Sequence, residues 1–200
     1  MKKTLLFVLI LGMTSSILAQ TYAEKMVLHR TTYVNDLLGD AENKGVIEKK
    51  DILKIKFYDA KESYIILASF KATPEAKPFE MSTHSGKMVT YRKYGELSFE
   101  INKKQYQLAV YQNQKFLTHP IYKTYLFLPF NDATNGEDTY GGGRYIDLKL
   151  EDIVNNQITL DFNKCYNPYC AYAEGYACPI PPAENKLKVE ILAGEKVFEK

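Results

Sequence analysis

Between residues 97 and 111 the chain alternates apolar and polar side chains twice, with a short break between. Leu97-Ser98-Phe99-Glu100-Ile101 alternates, Asn102-Lys103 interrupts, and Gln105-Tyr106-Gln107-Leu108-Ala109-Val110-Tyr111 alternates again. A period of two sends every second side chain to the same face of a sheet. Asparagine tolerates the positive φ that a tight hairpin needs. This stretch therefore excludes a helix and commits the middle of the chain to antiparallel pairing. The same reading marks Ile52–Tyr58, Tyr64–Phe70, Tyr125–Phe130, Tyr145–Leu150, Ile158–Phe162 and Leu187–Leu192 as strands, with Tyr64–Phe70 apolar enough for a central position. One segment keeps a different period. Tyr22, Met26, Val27, Tyr33, Val34, Leu37 and Leu38 form a helical stripe, and Gly39 stands where a left-handed cap belongs. That helix is expected to cover a sheet face or edge. Many short strands and one helix predict a mainly β fold, a single antiparallel β-sandwich or partly closed barrel with one N-terminal helix. There is no internal repeat and no low-complexity linker, so residues 20–200 are read as one domain.

The first nineteen residues are read as a leader. Met1-Lys2-Lys3 is basic, Thr4 to Ile17 carries no charge, and Ala19-Gln20 offers a small residue at a cleavage point. The apolar run is short and no stop-transfer charges follow, so the pattern predicts a secretory signal rather than an anchor. The expected location is the periplasm or the extracellular space, with no membrane span after the signal is removed. Lys2 and Lys3 account for the whole formal charge of +2. Without them the two signs balance and interleave. A clustered basic face is what nucleic acid requires, so nucleic acid is excluded as a partner. Glu48-Lys49-Lys50-Asp51, the richest lysine run, is flanked by acids and reads as a solvated turn.

Two loops break the strand rhythm. The first runs from Asn131 to Arg144 and holds Gly141-Gly142-Gly143 directly before Arg144. Successive glycines let a backbone take positive φ or approach another group closely. Arg144 offers a planar fork of donors to an anion. It is either part of an anion- or sugar-binding loop or paired internally with Asp147, Asp161 or Glu184. The second loop, Cys165 to Asn185, contains all three cysteines and a proline cluster. Cysteines of an exported protein oxidise. Pro168 and Pro179 bracket a stretch able to fold back, so Cys170 is expected to pair with Cys178 and to leave Cys165 as a free, buried thiol. A closure that short stabilises by roughly 2–3 kcal/mol on the chain-entropy model. Zinc is a weak alternative, because the cysteine spacings are long and His29, His84 and His119 are scattered. Calcium at Asp132, Asn135, Glu137 and Asp138 lacks the closing glutamate of an EF-hand. No metal and no cofactor is assigned.

Several blocks match a known pattern. They are Phe79-Glu80-Met81-Ser82-Thr83 with Tyr94-Gly95-Glu96-Leu97-Ser98-Phe99, then Leu126-Phe127-Leu128-Pro129-Phe130 with Gly136-Glu137, then Thr139-Tyr140-Gly141-Gly142-Gly143-Arg144-Tyr145-Ile146-Asp147, then Asp161-Phe162-Asn163 through to Asn185. On these residues the chain, from about Leu53 onward, resembles the bacterial domain-of-unknown-function family numbered sixteen eighty-four. The resemblance implies a domain shared by many bacterial proteins, often exported, with no assigned activity and no catalytic residue to carry over. Cys165 stands where the family looks to have a small residue. The Ser-Pro-Leu turn associated with the region before the first strand is missing near Gly45-Val46.

No Gly-x-Ser-x-Gly elbow and no His-Glu-x-x-His occurs. His84 and His119 sit in loop-like sequence. The expected function is therefore a non-catalytic binding or envelope-associated domain for a small polar or anionic ligand or a protein. Its expected contact residues are Tyr140, Gly142, Gly143, Arg144, Asp147, Asn163, Asn167, Tyr169, Glu184 and Asn185. Sixteen tyrosines supply rigid amphipathic contact area. The alternative is a carboxylate-dependent hydrolase using Glu137 or Asp161 as acid or base, with Arg144 as charge stabiliser.

Overall fold

The computed structural model describes residues 20–40 and 45–199. The expected leader lies outside them. Among the described residues, no helix is long and apolar enough to cross a membrane. Seven strands form one antiparallel sheet: β1 (Ile65–Ala72), β2 (Phe79–Ser82), β3 (Met88–Ile101), β4 (Lys104–Asn113), β5 (Tyr125–Phe130), β6 (Arg144–Lys149) and β7 (Gln157–Asp161). The order is β6-β5-β4-β3-β1-β7, and β2 pairs with the first part of β3. The sheet curls into a half-barrel, so of the two β architectures expected the partly closed barrel is the one formed. At the central hairpin Asn102 and Lys103 take φ of 51° and 62°, and Ile101 faces Lys104. Those are the left-handed residues of a two-residue turn. β1 lies between β3 and β7, the interior position that its apolar sequence predicts.

Alternation along these strands divides their side chains between two cores. One face gathers Ala68, Leu97, Phe99, Leu108, Leu126, Leu128, Phe130, Ile146, Ile158 and Leu160 inside the curl. The C-terminal residues Phe162, Leu187, Ile191 and Ala193 fill it from the open side. The other face of β4, β5 and β6 carries Ala109, Tyr111, Phe127 and Tyr145, joined by Met81 of β2 and Tyr91 of β3. This second core is markedly aromatic, and the candidate site lies against it.

α1 (Tyr22–Leu38) begins on a capping box in which the Thr21 side chain accepts from Glu24 N–H and Glu24 reaches back to Thr21 N–H. Gly39 closes it with φ 70°. Met26 and Leu37 are buried, but Val27 is 66% exposed, so the stripe is narrower than the sequence implies. Polar anchors add to the packing. Arg30 donates to the Tyr58 carbonyl at 2.8 Å and stacks over Phe57, and Tyr22 donates to Asp161 at 3.0 Å.

Two expected strands do not form. Ile52–Tyr58 starts inside a 3-10 turn, Lys49–Lys54, and makes a single bridge between Phe57 and Glu195. Leu187–Leu192 is irregular. Its alternation is genuine, since Leu187 and Ile191 are buried while Lys188 and Glu190 are exposed. Its backbone partners, however, are loops and side chains: Leu187 N–H donates to Asn131, Ile191 N–H to Asp132, and Leu192 N–H to the Tyr64 hydroxyl. A period of two reports which side is buried and says nothing of what the backbone bonds to.

Cys170 and Cys178 form a disulfide, with Cα atoms 6.2 Å apart, and Cys165 is free and buried. Burial pushes the Cys165 thiol up to about 11, so it stays a thiol and packs as a small apolar group. Cys170→Ser with Cys178→Ser is expected to lower unfolding free energy by about 2–3 kcal/mol in urea titrations. The oxidised wild type should show one reactive sulfhydryl, and only after unfolding; three reactive thiols would contradict the pairing.

Candidate functional site

A cavity of about 650 Å³ opens between α1, the aromatic face of β5 and β6, and the segment after Cys165. The pleat builds its floor. On β6 the side chains of Tyr145, Asp147 and Lys149 share the face opposite Ile146 and Leu148. Asp147 is registered with Phe127 on β5. Its Oδ1 accepts from the Tyr125 hydroxyl at 2.5 Å and from the Tyr166 hydroxyl at 2.5 Å. Tyr145 donates to the Pro179 carbonyl and pairs by backbone with Tyr166, which draws the cysteine segment over the sheet. Tyr33, Phe57, Tyr91, Phe116, Tyr122 and Tyr169 form the walls and rim.

The electrostatics follow from this enclosure. Asp147 meets solvent in this cavity and in a second recess beside it, lined by Asp152, Asp161 and Lys164, while the neighbouring protein partly desolvates it. That desolvation lifts its pKa above the ordinary 3.8, against the lowering effect of the Tyr125 and Tyr166 hydrogen bonds. Burial and the Asp147 charge hold both phenols well above the ordinary tyrosine value, so they remain donors. His29 faces the same space from α1. Partial burial, and then Lys164, lower its pKa from 6.5, so the imidazole is neutral near pH 7.

A second carboxyl lies behind the cavity wall. Glu195 is fully buried, and among the described residues no cation pairs with its carboxyl. Tyr172 donates to Oε1 at 2.5 Å, and Tyr33 of α1 and the Asn167 N–H donate to Oε2 at 3.0 and 2.8 Å. Burial pushes its pKa from 4.5 up to about 7, with the same hydrogen bonds opposing the rise. Glu195 therefore ties the helix that walls the cavity to the C-terminal segment. The sequence reading missed it, since Gly194-Glu195-Lys196 reads as an ordinary polar turn.

Of the residues expected at a site, Asp147, Asn163 and Tyr169 line this cavity, and the others are placed elsewhere. Arg144 is a correction. It pairs with none of Asp147, Asp161 or Glu184. It is fully buried and donates to Asp132 Oδ2 at 2.6 Å, with further bonds to the carbonyls of Ile191, Ala193 and Glu195. That closed arrangement leaves no free donor fork for a ligand and deprives the hydrolase reading of its charge stabiliser. Gly143, at φ 89°, lets the chain pass between the Phe130 carbonyl and Pro181, and Gly142 packs against Tyr140 and His84.

Apart from Glu137, the remaining polar candidates bond to backbone or side-chain groups of the protein itself. Asn185 is fully buried and bonds Ala109 N–H, the Ala109 carbonyl and the Pro129 carbonyl at 2.7, 2.8 and 2.6 Å, stitching β4 to β5. Asn163 clamps the backbone of Lys61, and Asn167 donates to the Lys196 carbonyl. Asp161 accepts from Tyr22 and Asn163. Glu184 accepts from Lys93 and Tyr111 at 2.6 and 2.7 Å. Glu137 is exposed, away from the cavity. In the loop considered for calcium, Asp132 serves Arg144 and Thr134, and Asn135 serves Asp132, Thr139 and Tyr140.

The fold has a solved counterpart. The solution NMR structure of an uncharacterized protein of Haloarcula marismortui superposes with a TM-score of 0.64 at 26% identity, covering 86% of this chain and 93% of that one. No curated protein matches the chain. The profile of the family described as Protein of unknown function (DUF1684) matches residues 50–196, which take in the whole sheet, Asp147 with both of its tyrosines, and Glu195, but not α1. On that match the chain belongs to the DUF1684 family.

Proposed function

We propose that the protein is an exported, non-catalytic binding domain that holds a small ligand in the aromatic cavity over Asp147. The observation that carries this reading is the cavity itself. About 650 Å³ of space, walled by rings and floored by one oriented carboxylate, has the size and make-up of a small-molecule site. Orientation at the floor comes from Tyr125 and Tyr166, and the apolar walls supply contact area. Among the described residues, Cys165 in the lining donates to the Ala193 carbonyl and no hydrogen bond joins it to a base, which favours holding over turnover. The leader pattern and the Cys170–Cys178 disulfide support export to an oxidising compartment.

The test is a metabolite library screened by thermal shift and tyrosine fluorescence. Thr32 is exposed on α1 and borders the cavity. Thr32→Trp should therefore fill the mouth with little effect on stability, and it is expected to weaken a true ligand by about tenfold or more. The ligand should be recovered unchanged. Hits that bind Thr32→Trp as well as wild type would place the site elsewhere, and a product that accumulates with time would restore the enzyme reading.

A further inference from the structure

Resting on the cavity reading above, we propose that the ligand's polar head is an organic cation, a primary ammonium or guanidinium on an apolar body of about one ring, held against Asp147. Hydrogen-bond direction at the floor is the reason. Tyr125 and Tyr166 both donate to Oδ1 of Asp147. A phenol has one hydrogen, so neither has another to offer. What the floor presents to the cavity is lone pairs: the two phenol oxygens and Oδ2, to which no described residue donates. A carboxylate or phosphate brought there meets acceptors with acceptors. An ammonium carries three donors and no acceptor, and its charge is opposite to that of Asp147.

The surrounding charges agree. Arg30 and Lys164 line the cavity too, but each is engaged elsewhere: Arg30 is stacked on Phe57 and bonded to the Tyr58 carbonyl. Lys164 leans toward Asp161 at 3.8 Å. His29 is neutral near pH 7, and Asp36 adds a second negative charge on the α1 side. Asp147 is thus a formal charge at the floor that no cation among the described residues neutralises by direct contact. Phe116, Tyr122, Phe127 and Tyr169 complete an aromatic surround, whose ring quadrupoles receive a cation more readily than an anion.

Phenethylamine, phenylacetate and phenethyl alcohol share one ring and differ only in the head, so they separate the classes. Each is titrated into the full chain near neutral pH, followed by NMR shifts of the cavity tyrosines. The amine is expected to bind at least about tenfold tighter than the other two and to lose about tenfold or more in Asp147→Asn. Acidifying the wild type should weaken amine binding as Asp147 takes up a proton, while the amine stays charged. That arm needs no variant and holds even if Asp147→Asn folds poorly. Equal affinity for the three heads, preference for phenylacetate, or amine binding unchanged by acid each overturns the cation assignment while leaving the cavity as a site. Failure of the amine to bind at about 10 mM also overturns it. The cavity reading stands or falls separately, on the library screen with Thr32→Trp.

Discussion

Asp132→Ala is expected to lower the unfolding free energy by about 3–5 kcal/mol, a large part of what holds a domain of this size folded. The substitution does not remove a surface ion pair. It leaves the Arg144 guanidinium fully buried without its countercharge. It also strips an acceptor from the Thr134 N–H and hydroxyl, and from the Ile191 N–H. The damage should spread along the C-terminal segment, because Arg144 is what fastens the carbonyls of Ile191, Ala193 and Glu195 to β6. Urea titration followed by circular dichroism measures the loss. Hydrogen exchange should show residues around Ile191 opening first. A loss below about 1 kcal/mol would mean the pair acts like an exposed salt bridge, and the assignment of Arg144 as the internal fastener would be wrong.

Stability is expected to fall as pH rises from about 4.5 to about 7, and Glu195 is the cause. The sign follows from where the proton is held more tightly. The folded-state pKa, about 7, lies above the ordinary value of 4.5, so between them the folded chain keeps a proton that the unfolded chain has lost. The stabilisation is complete below about 4.5, shrinks through the window, and is gone above about 7. Its size is about 3 kcal/mol from the conversion of pKa shift to free energy. Glu195→Gln resembles the protonated form and should flatten this slope relative to wild type. Asp147, whose pKa is also raised, contributes in the same direction and remains in the variant, so the difference between the two proteins isolates Glu195. Identical slopes would mean that the fold does not raise the Glu195 pKa above its unfolded value. Because Tyr33 of α1 donates to this carboxyl, the same titration should alter protection of the helix from hydrogen exchange.

Much of the sheet was legible because alternation is a local signal. The Asn102-Lys103 hairpin, the interior position of β1 and the strands β5 to β7 all follow from period and turn chemistry within a few residues. β2 and the first part of β3 were not read as strands. There β3 carries a register shift between Lys93 and Gly95 and supports β2 as well as β4, so no single face stays buried along its length. A Cβ at Gly95 would overlap the Phe70 ring, a packing demand that cannot be seen from the residues on either side. The strands expected at Ile52–Tyr58 and Leu187–Leu192 failed in the opposite way. Their periodicity is real enough to bury Ile55, Leu187 and Ile191, but their backbones bond to loops and side chains, with one bridge between Phe57 and Glu195, and not to a strand of the sheet.

The candidate site was harder to read because a polar side chain looks the same in sequence whether it meets ligand, solvent or the protein's own backbone. Arg144, Asn163, Asn167 and Asn185 were expected as ligand contacts, yet all four are nearly or fully buried and bond to groups of the protein itself. The residues themselves fixed the alternation, the central turn, the capped helix and the proximity of Cys170 to Cys178, since each depends on neighbours within about a dozen positions. Only the closed fold decided that Arg144 meets Asp132, that Asp147 sits between Tyr125 and Tyr166, and that Glu195 is buried beneath a helix more than a hundred residues away. Those are contacts between surfaces that exist only once the sheet has curled, so the strength of a buried charge and the shape of the cavity are properties of the packing.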